Sequence, residues 1–75
     1  MSKLPVGLSG RDIIKVINKL SYEIDHQTGS HIVLRQKEYP HRRITVPNHH
    51  EIAKGTLRSI IRQLGLTKEE FLELL

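Results

Sequence analysis

The sequence predicts an α+β domain of two layers: a helix, a three-stranded antiparallel meander, and two further helices that return to the same face of the sheet. Three observations predict it. Apolar residues first recur at helical spacing, at Ile13, Ile14, Ile17 and Leu20. They then fall at a period of two through Tyr22, Ile24, Ile32, Leu34, Ile44 and Val46, before helical spacing returns at Leu57, Ile60, Ile61 and Leu64. Turn chemistry separates the segments at Thr28-Gly29, Pro40 and Pro47. The chain of 75 residues is expected to form a single domain over residues 1–75. A domain of this size buries only about 60–65% of its unfolded surface, so a shallow surface site is expected rather than a deep pocket.

Each element has its own signal. Residues 1–8 read as a short lead-in. Ser9-Gly10-Arg11-Asp12 reads as a capping box, in which Ser9 accepts from the backbone N–H of Asp12 and the carboxylate reaches back. The first helix is expected over about residues 10–20, with Lys15 and Lys19 on its solvated side. Tyr22 and Ile24 alternate with Glu23 and Asp25, which describes a half-buried strand. Ser30 to Gln36 follows as a second strand, joined to the first by a short hairpin. Lys37 to His41 is a second turn, and Arg42 to Val46 a third strand stopped by Pro47. Residues 47–54 read as a loop before the next helix, and Gly65 sits where a helix C′ glycine belongs. Thr67-Lys68-Glu69-Glu70 is a second capping box, opening a last helix that carries Phe71, Leu72, Leu74 and Leu75.

Composition narrows the function. Cysteine is absent, which excludes disulfides and thiolate metal sites and suits a cytoplasmic protein. Met1-Ser2-Lys3-Leu4-Pro5 holds no long apolar run, so neither a signal peptide nor a membrane span is expected there. Residues 1–62 carry eleven Lys and Arg against five Asp and Glu, a net of +6, and residues 63–75 carry a net of −2, which together make the +4 of the whole chain. A basic body with an acidic tail attracts polyanions, chiefly nucleic acid, although solubility alone also calls for surface charge.

Strand alternation assigns faces. If Tyr22, Ile24, Ile32, Leu34, Ile44 and Val46 face the helices, then His31, Val33, Arg35, Arg43 and Thr45 face outward, with Asp25 and Gln27 on the neighbouring strand. Imidazole, amide and hydroxyl groups from Gln27, Ser30 and His31 thus gather at one end of the sheet. A second basic element is the stripe Lys54, Arg58 and Arg62, spaced by four residues along a helix. Such a stripe suits phosphate contacts, and equally suits a plain solvated helix face.

The five histidines are not equivalent. His31 follows a Gly-Ser turn, and an exposed imidazole with a reference pKa of about 6.5 can take and give protons near neutrality. From its position alone, an incidental surface histidine is the better reading. His49-His50 are adjacent, which rarely lets two rings converge on one metal ion, and no Cys or HExxH spacing accompanies them. His41 adds to a basic turn, and His26, facing opposite to Gln27, is a secondary candidate for a second acid or base. Ser9, Ser30 and Ser59 lack a nucleophile elbow, no Gly-rich phosphate loop is present, and paired carboxylates for glycoside or two-metal chemistry are not apparent.

The segments SGRDIIKVINKLSYEI, GSHIVLRQ and RRITVPNHHEIAKGTLRSIIRQLGLTKEEFLELL, in this order and spacing, resemble the HicA toxin family of YcfA-like mRNA interferases across nearly the whole chain. The resemblance implies a fold like that of a double-stranded RNA-binding domain, with α-β-β-β-α order and a short C-terminal helix. It implies an endoribonuclease of a type II toxin–antitoxin system that blocks translation and growth. Its partners would be mRNA and a HicB-type antitoxin that covers the active surface. The family's catalytic histidine follows Gly-Ser and falls on His31. The chain departs from the family where many members have a more basic stretch, carrying HQTGSH instead.

On this reading His31 is the catalytic residue and Gln27, Ser30, Arg35, Arg43, Lys54, Arg58 and Arg62 contact RNA. Neither metal nor cofactor is required, because the 2′-hydroxyl of RNA serves as nucleophile. Two other functions compete. A non-catalytic RNA-binding module would use the same basic stripe and leave RNA intact. A helix-turn-helix over residues 56–75 would bind DNA, but Glu69, Glu70 and Glu73 sit badly against phosphate, so sequence-specific DNA binding is not expected.

Overall fold

A computed structural model describes residues 4–75, so the first three residues of the expected lead-in lie outside the described residues. The element order is α1 (Gly10–Asn18), β1 (Tyr22–Thr28), β2 (His31–Gln36), β3 (Arg43–Pro47), α2 (Lys54–Gln63) and α3 (Lys68–Leu74). The strands form one antiparallel sheet in the order β1-β2-β3, and the helices pack on one of its faces. This is the α+β arrangement that the periodicities predict. α1 stops at Asn18, two residues short of the expected end, because Ser21 takes a left-handed φ of 66° to swing the chain into β1.

Both capping boxes form. The Ser9 hydroxyl accepts from Asp12 N–H at 3.1 Å while Asp12 Oδ2 accepts from Ser9 N–H at 3.0 Å. Thr67 and Glu70 repeat the exchange at 3.1 and 2.8 Å. At the end of α2, Gly65 N–H donates to Arg62 C=O and Leu66 N–H to Ile61 C=O, with Gly65 at φ 73°. These two bonds make a Schellman motif, which satisfies carbonyls that the helix end would otherwise leave unpaired.

The core holds the residues that the two periods select. Ile13, Ile17, Leu34, Ile44, Leu57, Ile60 and Phe71 are almost wholly inaccessible. Leu4 and Ile52 join them, although they stand outside any periodic run. Ile52 arrives through backbone geometry: its N–H donates to Leu8 C=O at 2.7 Å, and Gly10 N–H donates to His49 C=O at 2.9 Å. The loop after β3 is thereby laced to the start of α1. Gly10 permits the approach, since a Cβ there would lie 2.2 Å from the Pro47 carbonyl oxygen.

Ile24 does not join the core. It stands opposite Leu34, on the helix-covered face, yet is 55% exposed. β1 is an edge strand, and from Glu23 through His31 the hairpin is exposed throughout, extending past the helical layer that covers Tyr22. The predicted face is right, but among the described residues no helix reaches that far.

Candidate active site

The hairpin Thr28-Gly29-Ser30-His31 sets the position of the imidazole. Gly29 takes φ 57° while Ser30 stays at negative φ, the pattern of a type II′ two-residue turn whose twist matches that of the flanking strands. His31 opens β2 immediately after the turn, paired with Thr28 on one side and Pro47 on the other. Asn48 N–H donates to Ser30 C=O at 2.6 Å, extending the β2–β3 ladder by one bond beyond His31. The backbone at the histidine is therefore fixed on both sides, while its side chain lies open to solvent.

Pairing places three of the predicted site residues on one face of the sheet. Arg35 stands opposite Arg43, and Val33 opposite Thr45, so His31, Arg35 and Arg43 share the face that the helices leave uncovered. Ser30 lies at the hairpin tip beside His31. Lys54, Arg58 and Arg62 are exposed along α2, which belongs to the helical layer rather than to the open sheet face.

Gln27 does not face outward. Alternation from Tyr22 puts it outward, but β1 contains a bulge: Ile24 pairs with Leu34 and His26 with Val33, leaving Asp25 as the extra residue. Every residue after the bulge is shifted by one. Gln27 now pairs with Ile32 on the opposite face from His31, and its amide donates to Gly29 C=O at 3.2 Å, bracing the turn. His26, expected on the other side from Asp25, instead stands opposite Val33 on the open face.

The bulge also builds a cluster that alternation does not show. Asp25 Oδ2 lies 2.8 Å from His26 Nδ1 and 3.7 Å from Arg43 Nε. The His26 hydrogen bond is the main cause that holds the Asp25 carboxyl below the usual carboxylate range, and Arg43 and Arg35 add to it. Asp25 therefore stays ionised to lower pH than a free aspartate, hydrogen-bonded to the His26 ring and ion-paired with the Arg43 guanidinium. The sequence holds a faint signal for this cluster, an acidic residue next to a histidine in a strand with unbroken polar character from Asp25 to Thr28.

The other histidines have distinct surroundings. His41 takes φ 58° in the turn before β3, and its Nδ1–H donates to Gln36 C=O at 3.2 Å, so it closes the turn rather than only adding charge. His49 and His50 line a cleft of about 340 Å³ with Ser9, Arg11 and Asn48. Among the described residues, no three His, Cys, Asp or Glu side chains gather as a metal-ligand set, and no helix is long and apolar enough to cross a membrane.

The model of the HicA toxin of bacterial toxin-antitoxin systems matches residues 10–66, from the first turn of α1 to the Schellman turn that ends α2. The chain belongs to the HicA toxin family. The match covers the helix, the whole sheet and the second helix, and it includes the hairpin that carries His31. No curated protein matches the chain in a direct comparison. As a HicA-family toxin, it implies a HicB-type antitoxin as partner. The α-β-β-β-α order of the HicA resemblance is the order observed, with α3 following as the short C-terminal helix.

Proposed function

We propose that this HicA-family chain is a metal-independent endoribonuclease, an mRNA interferase whose catalytic group is His31. The observation that carries the reading is the placement of the Gly-Ser-His histidine on the sheet face that the helices leave open, with Arg35 and Arg43 on the same face. His31 accepts the proton of a 2′-hydroxyl as that oxygen attacks the adjacent phosphorus. The products are a 2′,3′-cyclic phosphate and a 5′-hydroxyl, and DNA is not a substrate. Arg35 and Arg43 stabilise the charge that gathers on the phosphorane oxygens. Ser30 contacts the strand at the hairpin tip, while Lys54, Arg58 and Arg62 hold flanking phosphates. Gln27 can meet RNA only from the rim of the hairpin, since its face is opposite to that of His31. In the cytoplasm such cleavage of mRNA stops translation and growth, and the HicB-type antitoxin restrains it by covering the open face.

The test is incubation of purified protein with an end-labelled transcript. Cleavage in the presence of EDTA, with cyclic-phosphate ends, is the expected result. General acid–base catalysis contributes about 10²–10⁴-fold, so His31→Ala loses at least that much rate while the fold is kept. Retention of intact RNA by the wild type identifies a binding module instead. Cleavage that EDTA abolishes removes the metal-free scheme, and a His31→Ala protein as fast as wild type removes the assignment of His31.

A further inference from the structure

We propose that His26 is a second catalytic residue, oriented by Asp25, and that it protonates the 5′-oxygen as the RNA strand breaks. The inference rests on the ribonuclease reading of His31. Its ground is the bulge in β1, which turns Asp25 and His26 onto the open face together. His26 stands opposite Val33, and His31 lies two residues before Val33 on the same face. Diagonal neighbours of this kind have their backbones about 7–8 Å apart, a gap that two imidazoles can close upon one phosphate.

The hydrogen bonding distinguishes the two rings. His26 donates Nδ1–H to Asp25 Oδ2 at 2.8 Å, which fixes the ring and leaves Nε2 without a partner among the described residues. A carboxylate on Nδ1 compensates the charge of a ring protonated at both nitrogens. His31 has no such carboxylate among the described residues. Glu23, Arg35 and Arg43 complete the charged groups of this face, and Arg43 shares the Asp25 carboxylate at 3.7 Å.

The 2′-oxygen forms a bond to phosphorus and gives its proton to His31. The bond from phosphorus to the 5′-oxygen breaks, and that oxygen leaves with the electron pair and takes the proton from His26 Nε2. Proton exchange with water then restores both rings. Asp25 is a positioning residue and does not change its own protonation.

The experiment uses the full chain and a short RNA copied from a site that the wild type cuts in a transcript. The RNA is made with either oxygen or sulfur at the bridging 5′ position of the scissile phosphate. Sulfur leaves without protonation and so needs no general acid. His26→Gln is expected to cut the oxygen-linked RNA about 10²–10⁴-fold more slowly than wild type and the sulfur-linked RNA at close to the wild-type rate. Asp25→Asn shows a smaller loss, again confined to the oxygen-linked RNA, whereas His31→Gln is slow on both. Thermal melts check that the variants fold, and His26→Ala serves if the glutamine disturbs the bulge. A His26 variant that matches wild type on oxygen-linked RNA, or is equally slow on both substrates, overturns the assignment of His26 alone. If the wild type cuts no transcript, the nuclease reading itself fails.

Discussion

At the scale of single residues, the local environment decides what a side chain can do. Five histidines share one intrinsic chemistry, yet His41 closes a turn through Gln36, His26 is held by Asp25, and His31 stands open at a strand start. Alternation identified His31 as outward facing because nothing irregular intervenes between it and the core residues Ile32 and Leu34. The same arithmetic placed Gln27 and His26 on the wrong faces because one extra residue in β1 lay between them and Tyr22. Asp12 offers a test at this scale. Its carboxyl is held below the usual range chiefly by the backbone N–H of Ser9, with the Ser9 hydroxyl next. A carboxyl depressed in the folded state stabilises the fold above its unfolded pKa, near 3.9, and that contribution fades as pH falls through the folded value. Asp12→Asn is therefore expected to lower stability at neutral pH, and its deficit in urea midpoint relative to wild type is expected to shrink as the pH is taken below about 4.

At the scale of elements, the helix boundaries were legible where a side chain performs the capping. Ser9 and Thr67 each announce a helix start, and Gly65 announces an end, because the bonds involved span only a few residues. Replacing Ser9 by Ala is expected to cost about 1 kcal/mol in chemical denaturation, the usual effect of losing an N-cap. Gly10 was less legible, since its reason lies in another element: β3 ends against it, with the Pro47 carbonyl oxygen 2.2 Å from where a Cβ would stand. Gly10→Ala, normally favourable inside a helix, is expected here to destabilise by about 1–3 kcal/mol, because α1 must move away from β3. Urea titration separates these outcomes by sign. Since Pro47 also pairs with His31, the same substitution is expected to disturb the site as well as the stability.

At the scale of the molecule, positive charge is divided between two layers. Arg35 and Arg43 lie on the open sheet face, and Lys54, Arg58 and Arg62 on α2 in the layer behind it. An RNA strand that uses both sets must pass around the edge of the domain. Each phosphate contact on a single strand contributes roughly 0.7 to the slope of log affinity against log salt, so removing all three α2 cations is expected to lower that slope by up to about 2. The measurement is RNA affinity across a salt series, made with His31→Ala protein to prevent cleavage. An unchanged slope assigns the stripe to solvation alone. The antitoxin partner implied by the HicA family offers a parallel comparison: if it covers the open face, Arg35 and Arg43 variants weaken its binding while α2 variants leave it intact.

The sequence by itself determined the α+β class, the order of elements, both capping boxes, most of the core and the outward setting of His31. All of these follow from periodicity and from bonds between residues close along the chain. Only the tertiary structure decided that β1 bulges at Asp25, that Ile24 lies beyond the reach of the helices, and that Gly10 meets the end of β3. The physical reason is the same for each. A bulge is defined by the partner strand, exposure by where the neighbouring layer ends, and a close approach by the element that approaches. The composition of the open face, with Asp25 and His26 beside His31 and Gln27 turned away, is accordingly a product of strand pairing.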